Sequence, residues 1–311
     1  MSKHPYNGWI NIDKPLDMTS TQAVGKVKKL LGMKKVGHAG TLDPLATGIL
    51  PIAVGEATKT VQYLQNRDKG YDFTITWGEA RSTDDSEGEI IASSDTRPSQ
   101  QQIIDALPAF TGDIEQIPPK FSAIKIQGER AYDLARDGEE VELKSRKVDL
   151  FEARIDPAST ENEAVIHVTC GKGFYIRALV RDLAAELGAE GHVSVLKRTR
   201  VGAFEIGDAI TQAALEAEEA VEVRRETLVP IETALDDVPA IEIMSSHITK
   251  LSNGNSVPLL PHELSAFKTR RAELQGDDSD DRLALALADG AALALGEVRA
   301  GQFHPARVFR Y

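Results

Sequence analysis

The chain has 311 residues and a net charge of −12, with 41% hydrophobic and 27% charged residues. This composition excludes a disordered or fibrous chain, and the length predicts two domains of unequal size, at roughly 150 residues per domain. The acidic balance argues against nucleic acid as a partner, but residues 1–60 hold eight lysines, four acidic residues and no arginine, a local charge of +4.

The N-terminal segment MSKHPYNGWINIDKP lacks the apolar core of a secretion signal. No run approaches the roughly 18 apolar residues of a membrane helix. Cys170 is the one cysteine of the sequence, so it forms neither an internal disulfide nor a multi-thiolate metal site. We therefore expect a cytoplasmic protein with no membrane partner, in which Cys170 is a small buried side chain on a strand.

Residues 19–31, TSTQAVGKVKKLL, predict a helix that starts with a capping box formed by Thr19 and Gln22. Five lysines lie off its apolar stripe or follow it, and residues 18–42 contain no acidic residue. These lysines are Lys26, Lys28, Lys29, Lys34 and Lys35. The pattern is typical either of a solvated helix face or of a surface that binds phosphates.

The loop GHAGTLDPLATGILPI, residues 37–52, contains a single carboxylate, Asp43. Pro44 favours an extended conformation for Asp43, which fixes the direction of the carboxylate. A carboxylate held in an apolar loop must be neutralised or meet a cation. The alternative is that Asp43 only shapes a turn or caps a helix, which is the commoner use of an Asp-Pro pair.

The motifs GxxxxGK[ST] and GxGxxG are absent from the sequence, so no nucleotide cofactor is predicted. Glycoside hydrolysis generally requires two carboxylates that flank the bond, whereas this loop offers one. A single ionised aspartate fits a reaction in which it attacks or deprotonates a sugar.

Residues 71–77 alternate as a strand with Tyr71, Phe73, Ile75 and Trp77 on one face. The acidic segment 81–89 is expected to be a solvated hairpin connection. A capped helix is expected over residues 98–110, with three apolar side chains pointing inward. These are Ile103, Ile104 and Leu107.

Residues 116–148 form a second basic region, in which two prolines and a basic strand precede a short helix. This insertion is expected to close over a polyanion. Its basic residues are Lys120, Lys125, Arg130, Lys144, Arg146 and Lys147.

A strand over residues 164–170 ends in the GKG turn of residues 171–173, and an amphipathic helix follows. Arg177 lies in the first turn of this helix, where the helix dipole disfavours a cation. Either a nearby carboxylate offsets that cost, or Arg177 is a solvated surface residue. A third basic run, LKRTR at 196–200, precedes another strand, and from about Asp237 short strand-like segments predict a small β-rich second domain.

Three segments occur in this order: GHAGTLDPLATGILPI, QIPPKFSAIK and GKGFYIRALVRDL. Together they resemble the bacterial tRNA pseudouridine-55 synthases of the TruB family. The resemblance runs across the catalytic part of the chain, and the first segment is long enough to be highly specific. It implies an α+β fold, with a pseudouridine-synthase-type catalytic domain over residues 1–236. That domain would have a mostly antiparallel mixed sheet flanked by helices, and residues 237–311 resemble a PUA-like RNA-binding domain.

The resemblance also implies roles for individual residues. Asp43 would be the essential aspartate, Arg177 the arginine paired with it, and Tyr71 the tyrosine that stacks on the target base. His38 would insert into the T-loop of tRNA. Further residues of the uracil pocket and its rim would be Tyr175, Leu196 and Lys172.

The expected reaction is the isomerisation of uridine to pseudouridine at position 55 of tRNA, with the base flipped out of the T-loop. The expected partner is the T-arm of tRNA, which a monomer would recognise mainly by its shape and its sugar–phosphate backbone. No cofactor is expected. Attack at C1′ or C6 and removal of the C2′ proton remain open routes. The alternatives are a non-catalytic RNA-binding or tRNA-folding protein and, less favoured, a sugar hydrolase.

Overall fold

The larger part of the chain folds around a ten-stranded mixed sheet. The computed structural model describes residues 6–122, 125–126, 129–130, 143–275 and 281–310. The first strands are β1 Gly8–Lys14, β2 Val36–His38, β3 Ala46–Val54, β4 Lys69–Trp77, β5 Glu79–Arg81, β6 Ile90–Ser93 and β7 Gly112–Gln116. They are followed by β8 Lys125–Ile126, β9 Glu129–Arg130, β10 Arg146–Ile155, β11 Glu163–Cys170, β12 Gly191–Val201, β13 Phe204–Glu205 and β14 Ile210–Thr211.

Six α-helices accompany these strands in the described residues. They are α1 Ser20–Leu30, α2 Val61–Asn66, α3 Gln100–Ala106, α4 Ile176–Glu186, α5 Gln212–Ala217 and α6 Val221–Glu226. Short 3-10 helices occur at Gly55–Lys59, Leu107–Phe110, Ile206–Asp208 and Ile231–Leu235.

The strand order of the large sheet is β14-β1-β3-β12-β4-β11-β10-β7, with β2 added to β3 and β13 added to β12. The pairs β1–β14 and β3–β12 are parallel, and the other neighbours are antiparallel. The predicted mostly antiparallel mixed sheet with flanking helices is therefore confirmed.

Several predictions that depend only on residues close in sequence are confirmed. Thr19 and Gln22 form the expected capping box at the start of α1. Along β4 the side chains of Tyr71, Phe73, Ile75 and Trp77 are buried while those between them are half-buried. Cys170 is a buried free thiol whose pKa is raised by burial to about 12.

The predicted inward face of the helix near residue 100 is partly wrong. Ile103 and Leu107 are buried, but Ile104 is 46% exposed. The N–H of Leu107 still donates to the C=O of Ile103, so these two residues lie one α-helical turn apart on the same face. Ile104 is rotated by about 100° from Ile103 at 3.6 residues per turn and therefore faces solvent.

The C-terminal part of the chain forms a separate five-stranded sheet, in the order β15-β17-β18-β19-β16. Its strands are β15 Ala240–Glu242, β16 Val257–Pro258, β17 Leu283–Ala288, β18 Ala291–Arg299 and β19 Gln302–Val308. Two helices that the sequence reading did not predict complete it, α7 Ser245–Ser252 and α8 Pro261–Gln275. The domain boundary at 236/237 stays a prediction.

One apolar cluster joins the two sheets. Trp9 and Ile49 of the large sheet pack in the same cluster as Leu285, Leu295 and Phe309. Each such side chain contributes roughly 1.5–3 kcal/mol when fully buried. This shared apolar cluster therefore holds the C-terminal sheet against the large sheet.

The central part of the predicted basic insertion, including its expected short helix, lies outside the described residues. Lys144, Arg146 and Lys147, at its end, are exposed. In the part of the chain that the structure describes, no helix combines the length and apolar character that a membrane crossing requires.

Candidate active site

The loop that carries Asp43 connects β2 to β3 and is fixed by buried side chains. Ser20 makes two hydrogen bonds with the backbone of Leu42: its hydroxyl accepts from the N–H at 2.8 Å and donates to the C=O at 3.0 Å. Lys14 donates to the carbonyl of Pro44 at 3.3 Å. The residues on either side of Asp43 are therefore both anchored, and the carboxylate is held on a constrained backbone.

Gly48, the third residue of β3, allows a close approach of two backbones. It has φ of +95°, and a Cβ placed on it would lie 2.2 Å from the carbonyl oxygen of Arg198. No other residue type tolerates both conditions. The glycine thus lets β3 run directly beside β12 below the Asp43 loop.

Arg177 is the cation that the loop carboxylate requires. Its Nη2 atom lies 2.8 Å from Oδ2 of Asp43, and its Nη1 atom lies 3.3 Å from Oδ2 of Asp85. The guanidinium also donates to the carbonyls of Thr83 and Phe121, at 3.0 and 2.9 Å. Arg177 is 4% exposed, so the interpretation of a solvated surface arginine is wrong.

The charge on Arg177 is stabilised by its neighbours. Burial opposes it, but the carboxylates of Asp43, Asp85 and Asp84 outweigh burial and raise the pKa of Arg177. The side chain of Asp43, in contrast, remains 35% exposed. An immobilised carboxylate with one face open to solvent, held by a buried cation, is suited to act on a molecule that enters from that side.

A cavity of about 290 Å³ opens at Asp43. Six of the seven residues predicted for the site line it, namely Asp43, Tyr71, Lys172, Tyr175, Arg177 and Leu196. The other lining residues are Gly40, Thr41, Leu42, Gln65, Lys69, Gly173, Phe174, Ile176 and Arg198. The fold therefore brings together residues from four separate parts of the sequence.

His38, the seventh predicted residue, lies outside this cavity. It is half-buried at the end of β2, opposite Ile52 of β3. Lys172 donates to Oδ1 of Asn66 at 2.9 Å.

The two tyrosines of the cavity have unusual surroundings. Tyr71 is 9% exposed and packs in the main core cluster, so its ring is a core aromatic and a wall of the cavity at once. Burial raises the pKa of Tyr71, and the charge of Arg198 opposes that rise. Burial also raises the pKa of Tyr175. Both phenols are thus kept in the neutral form beside the cavity.

Sequence reasoning missed Asp85. The acidic segment 81–89 was expected to be solvated, but Asp85 is 1% exposed. Its carboxylate accepts from the hydroxyl of Thr83 and from the N–H of Glu87 besides pairing with Arg177. The turn forms backbone hydrogen bonds with Val193 of β12. Because these two segments are distant in sequence, the local composition does not indicate this interaction.

Gln116 was also missed, although it opens the segment QIPPKFSAIK. Its side-chain amide donates to the carbonyl of Tyr175 at 3.0 Å and accepts from the N–H of Tyr175 at 2.8 Å. Tyr175 is the residue before the first turn of α4, which carries Arg177. The buried amide therefore fixes the start of that helix, and its position in a motif next to prolines was the available signal.

Two more buried cations border the cavity. Lys69 is 8% exposed, and burial lowers its pKa to about 8. Arg198 is 1% exposed. The alternation of β12 could have indicated Arg198, since it lies two residues after the pocket residue Leu196 and so shares its face.

Two of the five lysines between residues 26 and 35 form ion pairs, although residues 18–42 contain no acidic residue. Lys26 pairs with Glu216 at 3.1 Å and Lys35 with Glu56 at 3.6 Å. Both acids come from elsewhere in the chain. Lys28, Lys29 and Lys34 are exposed as predicted.

The fold and the site define a class of protein. The chain superposes on that of "Crystal Structure of a Cbf5-Nop10-Gar1 Complex" with a TM-score of 0.69 and 24% identity, covering 97% of this chain and 84% of that one. The chain of "Structure of H/ACA RNP bound to a substrate RNA containing 2'-deoxyuridine" gives a TM-score of 0.69 at 21% identity, covering 98% and 85%. The fold is that of the pseudouridine synthases.

Sequence comparison narrows the class. The N-terminal domain of TruB family pseudouridylate synthases matches residues 28–176, and the tRNA pseudouridylate synthase B C-terminal domain matches residues 177–236. A protein of Caulobacter vibrioides named tRNA pseudouridine synthase B is 49% identical over 304 residues, 98% of this chain and 96% of that protein. One of the same name from Rhizobium johnstonii is 47% identical over 312 residues, covering 98% and 96%. The chain belongs to the TruB family of pseudouridine synthases, which are isomerases.

Proposed function

We propose that this enzyme converts uridine to pseudouridine at position 55 in the T-loop of tRNA. The observation that carries the proposal is the ion pair of 2.8 Å between Asp43 and Arg177 at the wall of a cavity of about 290 Å³. The curated names of its relatives support tRNA as the substrate. The order and spacing of the three sequence segments support the T-loop.

The target uridine must leave its stack before Asp43 can reach it, at a cost of about a few kcal/mol. We propose that His38 fills the space that the base leaves. The place of His38 at the start of the loop that carries Asp43 supports this role. The exposed side chains of Lys28, Lys29 and Lys34 would hold phosphates of the T-arm, reading shape and backbone.

The chemistry begins with the carboxylate of Asp43, which the guanidinium of Arg177 holds at the wall of the cavity. Asp43 either adds to C1′ or to C6 of the base, or removes the C2′ proton. On each route the N1–C1′ bond breaks, the uracil turns and a C5–C1′ bond forms. The bond to Asp43 breaks again on the first two routes, and on the third route Asp43 returns the proton to C2′. C5 then loses its proton and N1 gains one, so the reaction is an isomerisation without redox change.

With the RNA bound across its opening, the cavity would keep the detached uracil from diffusing away. Tyr71 would stack on the ring, with Tyr175 and Leu196 as further walls and Lys172 at the rim. Their common position around one cavity supports these roles. We also propose that the protein is a cytoplasmic monomer and that residues 237–311 form a PUA-like RNA-binding domain, which the β-rich five-stranded sheet supports.

The decisive experiment compares the parent with Asp43→Asn on tRNA tritiated at uridine C5. We expect tritium release by the parent and none by the variant, with similar tRNA affinity and melting temperature. Equal release from both would make the aspartate mechanism wrong. Binding without release by the parent would favour an RNA-folding protein, and free uracil would favour a hydrolase. Pseudouridine mapping in a T-arm transcript then tests position 55.

A further inference from the structure

Arg198 is buried at the centre of the large sheet and borders the cavity. Its strand, β12, lies between β3 and β4. The register places Arg198 opposite Gly48 on one side and opposite Tyr71 on the other. Arg198 thus lies next to both Tyr71 and the beginning of β3, the strand that follows the Asp43 loop.

The guanidinium of Arg198 uses all three of its nitrogens on the Asp43 loop and on β3, the strand that follows it. Nε donates to the carbonyl of Ile49 at 2.8 Å, Nη1 to that of Thr41 at 3.2 Å and Nη2 to that of Gly40 at 3.4 Å. These carbonyls lie before and after Asp43 in the chain. Because the guanidinium is planar and rigid, it fixes the first part of the Asp43 loop relative to β3.

The same guanidinium acts on Tyr71. Its positive charge lowers the pKa of the phenol against the larger opposing effect of burial. The geometry agrees, because residues directly opposite each other on neighbouring strands share a face of the sheet, and both side chains line the cavity. Arg198 consequently links the loop of Asp43 to the ring on the neighbouring strand.

The cost of burying this charge argues for a functional reason. The acceptors that Arg198 meets on the loop are backbone carbonyls, and in the described residues no carboxylate forms a salt bridge with it. A buried cation without an anionic partner is expensive. An apolar residue would fill the sheet centre more cheaply if packing alone were required.

We propose that Arg198 is a positioning residue that holds the Asp43 loop and the Tyr71 phenol in a fixed relation across the cavity. The proposal rests on the function proposed above, because it assigns Arg198 to the chemical step. Loss of this relation would misplace the carboxylate relative to the sugar. A misplacement of about 1 Å typically costs on the order of 100-fold in rate, whereas binding to the tRNA backbone would be unchanged.

The test compares Arg198→Met and Arg198→Lys with the parent in single-turnover conversion, tRNA affinity and thermal unfolding. We expect the single-turnover rate to fall about 100-fold or more for Met and less for Lys, with the dissociation constant changed less than about threefold. Arg224→Met is the matched control. Arg224 also donates to backbone carbonyls, those of Leu215 and Leu30, at 3.1 and 3.2 Å, and its rate should equal that of the parent.

A double-mutant cycle with Tyr71→Phe separates positioning from general destabilisation, because residues that act together are non-additive. We expect the rate loss of Arg198→Lys to be at least about fourfold smaller when it is combined with Tyr71→Phe. Parent-like rates in folded Arg198 variants, a loss confined to affinity, or additive losses would each overturn the proposal. So would unfolding of both Arg198 variants beside a folded Arg224→Met, which would make Arg198 structural. An inactive parent would instead refute the proposed function.

Discussion

Asp85 places its carboxylate 3.3 Å from Nη1 of Arg177, while Asp43 occupies Nη2 of the same guanidinium. The side chain of Asp85 is 2% exposed and that of Asp43 is 35% exposed. One cation thus joins a buried, permanently satisfied carboxylate to one that faces the cavity. Asp85 holds the guanidinium from its buried side, so that Asp43 is the carboxylate of the pair that is accessible from the cavity.

Asp85→Asn should therefore lower the single-turnover rate by about tenfold or more, while tRNA affinity stays within about threefold. The physical reason is that an amide no longer fixes the guanidinium by charge-assisted hydrogen bonds, which are roughly twice as strong as neutral ones. Glu79→Gln is a suitable control, since Glu79 is partly exposed and pairs with Arg81 instead. A parent-like rate for folded Asp85→Asn would contradict this role.

Gln116→Met should lower the free energy of unfolding, because it leaves the N–H of Tyr175 without its acceptor, while the C=O of Tyr175 keeps the N–H of Leu179 as a donor. An unsatisfied buried group costs roughly 1–3 kcal/mol, so we expect a loss of about 2 kcal/mol in urea unfolding. Gln116→Glu retains an acceptor for the Tyr175 N–H but loses the donor to its C=O. The stability of Gln116→Glu should at most lie between those of the parent and Gln116→Met. A Gln116→Met variant as stable as the parent would show that Gln116 does not stabilise the start of α4.

Replacing Lys28, Lys29 and Lys34 together by Gln should weaken tRNA binding and flatten its dependence on salt. The slope of log K against log salt concentration should fall by roughly one unit for each phosphate that is no longer neutralised. Lys26→Gln is the control, because Glu216 already neutralises Lys26 at 3.1 Å. An unchanged slope in the triple variant would assign these lysines to a solvated helix face, the alternative that their sequence pattern also allows.

His167 makes stability depend on pH. Its Nδ1 lies 2.5 Å from Asp72 and its Nε2 lies 3.0 Å from Asp156. Burial and Arg154 oppose its charge, but the hydrogen bonds to Asp156 and Asp72 outweigh them and raise its pKa above 6.5. Because the folded state holds the proton more tightly, the stabilisation is complete below pH 6.5 and is lost as pH rises through the folded pKa.

The difference in melting temperature between the parent and His167→Gln should accordingly be largest near pH 6 and shrink towards pH 9. Thermal unfolding across this range measures it directly. Asp156→Asn should reduce the difference at low pH by replacing one of the two anionic acceptors with a neutral amide. A difference that grows with pH would show that the histidine is neutral in the folded protein.

Local signals predicted much of the fold. The capping box at Thr19 and the alternation around Tyr71 involve only residues close in sequence. They could therefore be predicted without knowing how the rest of the chain folds. The helix α8, Pro261–Gln275, was not predicted, because its polar and apolar residues show no clear stripe along the helix. The pairing of Asp43 with Arg177 was expected from motif resemblance and from an unfavourable cation at a helix start.

Through its resemblance to the TruB family, the sequence by itself determined six of the residues that line the cavity, among them Asp43, Tyr71 and Arg177. Only the tertiary structure decided what holds them there. Asp85 is an acid in an apparently solvated turn, and Arg198 is one cation in a basic run. Their burial results from strands distant in sequence packing side by side, and the cost of a buried charge is set by those neighbours.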